Sequence, residues 1–195
     1  SVETYRMSKI SRVLVLGSTG LVGHGICFYL VKKKFHVIGT ANKKNATSIH
    51  KNFKLYRNID LLNQKSFIKI EKIIKKNNIQ AVINSAALIP NKSNYKTKNF
   101  FKNSIIINLL TCLELYKISK KNKIKCLINI STPNVDNIEK KDLENHHNFY
   151  IFTKYLAELF LSNLTKFKTK IVSLRIKSPY GYVLDTQAVI PNFIN

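Results

Sequence analysis

Val13-Leu14-Val15-Leu16-Gly17-Ser18-Thr19-Gly20-Leu21-Val22-Gly23 decides how this chain is read. Four apolar residues run straight into a glycine turn, and an apolar-periodic segment from Leu21 to Val31 follows it. The pattern is a strand, a turn and the start of a helix. In such a turn backbone N–H groups at a helix N-terminus face an anionic group, and glycines stand where a side chain would block that approach or the packing of helix on strand. A dinucleotide pyrophosphate is therefore the first candidate ligand. The spacing is Gly-x-x-Gly-x-x-Gly, which departs from the Gly-x-Gly-x-x-Gly fingerprint, so a glycine-rich turn without a ligand is the competing reading.

Outward from this turn, apolar and β-branched runs alternate with longer helical patterns, the sequence form of an α/β doubly wound parallel sheet. Strands are expected at 11–16, 35–40, 53–57, 80–85, 124–130 and 170–176, with helices between them. The clearest helical pattern spans Asn99 to Lys121, where Ile106, Leu109, Leu110, Leu113 and Tyr116 recur at three- and four-residue spacing. Ligands on such a sheet lie beyond the carboxyl ends of the strands. Gly17, Asp60, Ala86-Ala87, Ser131-Thr132 and Lys177-Ser178 all fall there.

With 195 residues, 45% of them hydrophobic, the chain can bury one sizeable core. No apolar run approaches the ~18 residues that span a bilayer, so a soluble, cytoplasmic protein with no membrane partner is expected. Ser1 to Arg6 precede Met7 and read as a remnant ahead of a natural start. Residues 7–176 form the expected dinucleotide-binding domain, and 177–195 the start of an incomplete substrate-binding region.

Cys27, Cys112 and Cys126 are scattered in apolar contexts with no Cys-x-x-Cys pair, which suggests reduced core thiols. His146-His147 have no acidic or Cys partner at ligand spacing, so no metal is expected and solvated loop histidines are the reading. The net charge of +23 comes almost entirely from Lys, spread along the chain together with abundant Asn and Ile. A dedicated nucleic-acid surface more often shows Arg clusters with interleaved aromatics. The charge is read as solvated surface with weak attraction for polyanions, and no specific nucleic-acid partner is expected.

A Tyr-x-x-x-Lys pair places both side chains on one helical face, where the ammonium lowers the phenol pKa and lets Tyr exchange a proton with a substrate oxygen. The pattern occurs at Tyr5/Lys9, Tyr29/Lys33, Tyr116/Lys120 and Tyr150/Lys154. Only Tyr150 opens a helix beyond the strand that ends in Ser131-Thr132, so position selects Tyr150 and Lys154. A Thr132 hydroxyl across that edge can bond the same substrate oxygen.

These pieces, with Asp60-Leu61, Asn84-Ser85-Ala86-Ala87, Asn103, Glu158, Leu174-Arg175 and Tyr180-Gly181, occur in one order over nearly all of the chain after Met7. In that order the chain resembles an extended short-chain dehydrogenase/reductase of the NAD-dependent epimerase/dehydratase group, whose members mostly act on nucleotide sugars. The resemblance implies an NAD(P)-binding Rossmann fold. It implies that Gly17, Gly20 and Gly23, with Thr19, Leu21 and Val22, take the pyrophosphate, that Asp60 and Leu61 take the adenine, and that Ala86 and Ala87 line the cofactor. It implies that Thr132 orients the substrate oxygen, that Tyr150 is the acid/base, that Lys154 binds the nicotinamide ribose, and that Asn103 supports that lysine. Ser178 falls on the nicotinamide side.

The residues have other readings: Asp60 as a helix N-cap, Asn103 as a solvated helix residue, Ser131-Thr132 as turn residues before Pro133. At the end of the second strand, Gly39-Thr40-Ala41-Asn42-Lys43-Lys44 offers no carboxylate to repel a 2′-phosphate, so Thr40 and Lys43 favour NADP(H) over NAD(H).

Where dehydratases of the group carry Asp-Glu after the Thr, this chain has Pro133-Asn134, which argues against dehydration. Net reduction of a 4-keto nucleotide sugar is slightly favoured over epimerisation through a transient keto sugar, and a non-catalytic NAD(P)-binding regulatory protein is the alternative of another class. Family members often pair through a four-helix interface, which implies a homodimer through the helices at Asn99 to Lys121 and Tyr150 to Leu164. They also usually continue into a smaller substrate domain, so a truncated or missing C-terminal domain is expected.

Overall fold

Val13, Leu14, Val15 and Leu16 are apolar on both faces of their strand, a pattern satisfied only where both faces are covered. β1 (Arg12–Leu16) accordingly lies inside the sheet, with all four residues buried. The computed structural model describes residues 10–47, 53–91, 94, 97–140, 142–164, 168–177 and 179. Its sheet continues with β2 (His36–Thr40), β3 (Lys54–Tyr56), β4 (Ala81–Asn84), β5 (Cys126–Ser131) and β6 (Lys170–Arg175). All pairings are parallel and the order is β3-β2-β1-β4-β5-β6. The expected strands are all present, with ends within two residues of their predicted positions. This is the doubly wound, Rossmann-type arrangement.

Alternate residues of the strands feed two cores, as the period of two requires. On one face Leu14, Leu16, Ile38, Val82 and Leu127 pack with Ile70, Ile73 and Ile74 of α2 (Lys65–Lys76), Leu115 and Ile118 of α4 (Thr111–Lys121), and Ala157 and Leu161 of α5 (His146–Ser162). On the other face Val13, Val15, Val37, Ala81 and Ile83 pack with Cys27 and Val22 of α1 (Leu21–Lys32) and with Phe53. Cys27, Cys112 and Cys126 are buried free thiols, in keeping with their apolar contexts. Among the described residues no helix is long and apolar enough to cross a membrane.

The expected helix from Asn99 to Lys121 is interrupted. α3 (Phe100–Ser104) passes into a π-helical segment, Ile105–Leu110, before α4 begins. The Thr111 hydroxyl donates to Ile106 O, five residues back, at 3.1 Å. The wider turn shifts the buried face so that polar Asn108 and Thr111 point inward together with Cys112 and Leu115.

β1 is the point where the order reverses, since it pairs with both β2 and β4. The chain beyond its end is packed backbone against backbone. Gly17 has φ +69°, and a Cβ there would lie 2.8 Å from Ala86 Cα, while a Cβ on Gly23 would lie 2.2 Å from Gly17 O and 2.6 Å from Ser85 Oγ. Replacing Gly23 by Ala must therefore push α1 off the sheet, whereas Gly25 has nothing within 4 Å of its absent Cβ. Gly23→Ala is expected to lose about 2–4 kcal/mol in chemical denaturation, and Gly25→Ala to be neutral or to gain up to ~1 kcal/mol from helix propensity. Equal midpoints for the two variants would show that α1 can back away freely.

Candidate functional site

The carboxyl edge of the sheet at the β1/β4 reversal is where the selected residues gather. Gly20 is the extended residue before α1, with φ −79° and ψ 165°, and no side chain caps the N–H groups of the helix's first turn. An uncapped helix N-terminus presents donors to an anion. A Cβ on Gly20 would meet nothing closer than Gly17 O at 3.5 Å, so the mouth of the turn is open. Ser18 locks the turn sideways: its N–H and its hydroxyl both donate to Thr40 O, at 3.1 and 3.0 Å. Gly39 makes room for it, since a Cβ there would lie 2.4 Å from Ser18 Oγ.

Thr40 is buried, with its carbonyl taken by Ser18, while Asn42, Lys43 and Lys44 are exposed just beyond. Ile59 N donates to Ala41 O at 3.0 Å, which brings Asp60 and Leu61 to the same edge. The Asp60 carboxylate accepts from Leu62 N at 3.0 Å, an Asx turn ahead of α2 and not its N-cap, which falls at Gln64. Ala86 and Ala87 follow β4 as half-buried residues. Thr19, Leu21 and Val22 are half-buried in and after the turn.

On the other side of the crevice, Thr132 leaves the end of β5 half-buried, and its hydroxyl accepts from Asn134 N at 3.4 Å. That bond makes Thr132 a turn residue before Pro133. Pro133 opens a 3-10 segment, Pro133–Lys140, whose Val135 and Ile138 pack on Tyr150 and Ile151. Asp136 of that segment meets Arg175 at 2.6 Å, and Arg175 also grips Glu158 at 2.8 Å. Glu158 first, with Asp136, holds the Arg175 guanidinium above its ordinary pKa. Ser178 and Tyr180-Gly181 lie outside the described residues, as do Ser1 to Arg6 and most of 177–195.

α5 brings Tyr150 and Lys154 to this crevice. Its N-terminus is fixed by Asn145, whose Oδ1 accepts from His147 N at 2.9 Å and Asn148 N at 3.2 Å. His146 and His147, read as loop histidines, are the first helical residues, and the His146 ring lies 4.8 and 4.7 Å from those of Phe100 and Phe101. The aromatic contact is what the sequence pattern did not reveal.

Lys154 is 2% exposed and donates to Ile130 O at 2.9 Å. Burial lowers its pKa, opposed by Cys112 and Glu158. Burial also pushes the Tyr150 phenol up to about 12. The phenol therefore lies above its ordinary range, where the sequence had pointed to depression by the lysine. Desolvation outweighs an ammonium that is bonded to a strand carbonyl.

Asn103 is half-buried and its backbone N–H bonds to Asn99 O at 2.9 Å, which gives no link to Lys154. The helical asparagine that reaches the site is Asn108. It is fully buried, accepts from Leu88 N at 2.8 Å, and donates to Leu88 O at 3.2 Å and to the Thr153 hydroxyl at 3.1 Å. It thereby ties the segment after β4 to the residue preceding Lys154. A lone polar residue within the apolar run Ile106-Ile107-Asn108-Leu109-Leu110 was the available signal.

Residues 13–195 match the model of the NAD dependent epimerase/dehydratase family. No curated protein matches the sequence. Solved structures with the same fold include UDP-glucose 4-epimerase of Thermotoga maritima with UDP-glucose, at TM-score 0.68 and 20% identity over 84% of this chain and 54% of that one. UDP-glucose 4-epimerase of Thermus thermophilus in complex with NAD gives TM-score 0.66 and 22% identity over 84% and 54%. The Helicobacter pylori ADP-L-glycero-D-manno-heptose-6-epimerase gives 0.66 and 19% over 85% and 55%. The chain thus spans about half the length of these solved relatives.

Removing the Asn108 side chain leaves the Leu88 N–H and C=O without it in a partly buried setting. Asn108→Leu is expected to lose about 2–3 kcal/mol by urea denaturation, and Asn103→Ala no more than ~0.5 kcal/mol. The reverse ranking would return Asn103 to the site. A second expectation concerns pH. The folded protein keeps the Tyr150 proton to about 12, above the unfolded value of ~10. The associated stability is complete below that unfolded value and is lost as pH rises through the folded one. Tyr150→Phe should flatten the fall in stability across that window, measured as denaturation midpoint against pH.

Proposed function

Because the chain belongs to the NAD dependent epimerase/dehydratase family, we propose that its carboxyl edge binds NAD(P) and a nucleotide sugar. A bound nicotinamide would supply hydride exchange at a sugar carbon. The observation that carries the reading is the convergence of an open, uncapped glycine turn with Thr132, Tyr150 and buried Lys154 on one edge of the sheet.

The first-turn N–H groups after Gly17, Gly20 and Gly23, with Thr19, Leu21 and Val22, would hold the pyrophosphate. Asp60 and Leu61 would take the adenine, Ala86 and Ala87 the cofactor wall, and Lys154 the nicotinamide ribose. Thr132 would hydrogen-bond the reacting sugar oxygen and Tyr150 would exchange a proton with it. Asn108 would keep the helix that carries Lys154 in place through Thr153, the part assigned from sequence to Asn103. Reduction of a 4-keto sugar remains the favoured direction. In that direction the protonated Tyr150 phenol would donate to the oxygen that gains charge. Epimerisation through a transient keto sugar would use the same groups in both directions. Pro133-Asn134 supplies no acid and base for elimination.

Lys43 and Lys44, exposed beyond a strand end with no carboxylate, support NADP over NAD. The Thermus thermophilus structure holds NAD, so the preference is a property proposed for this chain's own residues. Exposed Leu110, Leu159 and Phe160 would supply the apolar part of a homodimer contact through the paired helices.

Calorimetric titration tests the cofactor: NADPH is expected to bind at least ten times more tightly than NADH, and Lys43→Ala/Lys44→Ala to erase the difference. Equal affinities would leave the dinucleotide reading standing and remove the NADP preference. Tyr150→Phe is expected to lower turnover of a 4-keto nucleotide sugar by a factor of about 10²–10⁴ while cofactor affinity is kept. Unchanged turnover would overturn the acid/base assignment, and cofactor binding with no turnover in either protein would favour the regulatory alternative.

A further inference from the structure

The lysines look evenly scattered in sequence, but among the described residues their balance against carboxylates differs between the two edges of the sheet. α1, α2 and α4 all end, and β1, β2, β4, β5 and β6 all begin, at the edge of the sheet opposite the glycine turn. That edge carries exposed Lys33, Lys34, Lys76, Lys121, Lys123 and Lys170, with further cations beside them. The carboxylate in the last turns of α2, Glu71, is already held by Lys75 at 2.8 Å and Lys121 at 3.0 Å. Of the other carboxylates whose side chains are described, Asp60, Asp136, Asp142 and Glu144 lie at the far edge together with Lys43, Lys44, Lys65, Lys98 and Lys102, and Glu114 and Glu158 are paired with Lys117 and Arg175.

Two of these lysines sit where the backbone favours another residue. Lys34 and Lys123 follow the ends of α1 and α4 with φ +62° and +53°. There the next residues close the helices by bonds from Phe35 N to Leu30 O and from Ile124 N to Ser119 O, at 3.0 and 2.9 Å. This left-handed position usually holds glycine. The helix-end carbonyls accept those backbone donors, so the ammonium groups are not needed to cap them.

We propose that this basic edge docks the protein reversibly on an anionic phospholipid bilayer, leaving the opposite edge facing the aqueous phase. Lysine point charges suit a diffuse layer of headgroup phosphates and carboxylates better than bidentate base or phosphate readout, for which arginine is the usual residue. Tyr29, 58% exposed in the last turns of α1 beside Lys32 to Lys34, is an aromatic of the kind that settles at a bilayer interface. Lys33 Nζ lies 5.6 Å from the centre of that ring, which obstructs it as a platform for base stacking. Nothing in this docking requires a spanning segment.

The test is co-sedimentation of the full chain with phosphatidylcholine vesicles, with and without about 30 mol% phosphatidylserine. Binding is expected only to the anionic vesicles, and to fall at least tenfold between ~0.1 and ~0.5 M salt. Lys33→Gln/Lys34→Gln/Lys121→Gln/Lys123→Gln should weaken it at least tenfold. Lys76→Gln/Lys170→Gln, away from the left-handed positions, should weaken it severalfold, and Lys43→Gln/Lys44→Gln at the other edge should not change it. Absence of binding, equal binding to neutral vesicles, or equal loss in the Lys43/Lys44 variant would overturn the proposal. Tighter binding to duplex DNA at equal phosphate would overturn it in favour of nucleic acid.

Discussion

Beyond the end of β1 three backbones approach too closely for any side chain to stand between them. Gly17, in a left-handed conformation, lies against Ala86, and Gly23 of α1 lies against the Gly17 carbonyl with no room for a Cβ. The Ser85 hydroxyl closes the same contact by donating to Leu16 O. Helix α1, strand β1 and strand β4 are thereby set at one fixed separation. The order reversal in the sheet opens a crevice there, and α1 directs its uncapped N-terminus along it. Ser18 extends the constraint to β2 through Thr40 O, so the glycine turn and the exposed segment from Asn42 to Lys44 keep their spacing.

Behind the crevice lies a polar cluster within an apolar core. Asn84 and Asn129 are register partners on β4 and β5, joined by a 3.0 Å hydrogen bond, and the Cys112 thiol donates to Asn129 Oδ1 at 3.2 Å. Asn108 and Thr153 continue the cluster toward α5. Asn84 Nδ2 and Asn129 Oδ1 satisfy each other, while Asn84 Oδ1 and Asn129 Nδ2 are buried with no partner among the described residues. Burial acts on Tyr150 and Lys154 of α5, lowering the Lys154 pKa and raising that of Tyr150. An anion or hydroxyl held near Lys154 would work against that desolvation by stabilising its charge. The Ser131 hydroxyl, buried beside the end of β5 with no protein partner among the described residues, leaves a further polar atom at the site.

Much of this was legible in the sequence. β-Branched and apolar runs marked the six strands, and the glycine turn between Leu16 and Leu21 marked the reversal point, because strand burial and glycine sterics are local requirements. Tyr150 and Lys154 could be picked out by the Tyr-x-x-x-Lys spacing together with position, and Thr132 by its place at a strand end. The π-helical segment could not, since it arises from which side of a long helix meets the neighbouring elements. That segment makes Asn108, and not Asn103, the fully buried asparagine, and the packing of His146 on Phe100 and Phe101 joins residues too far apart in sequence for any local pattern to show.

The order of elements, the apolar faces that bury them and the chemical types at strand ends are encoded locally, by short-range periodicity and by glycine. Direction and neighbourhood came from the folded arrangement. It decided which carbonyl Lys154 bonds, how far burial raises the Tyr150 phenol, how Arg175 joins Glu158 to Asp136, and that lysines separated along the chain share one edge of the sheet. Desolvation and charge interaction depend on distances between residues far apart in sequence, and those distances exist only once the parallel sheet has brought every helix end to the same side.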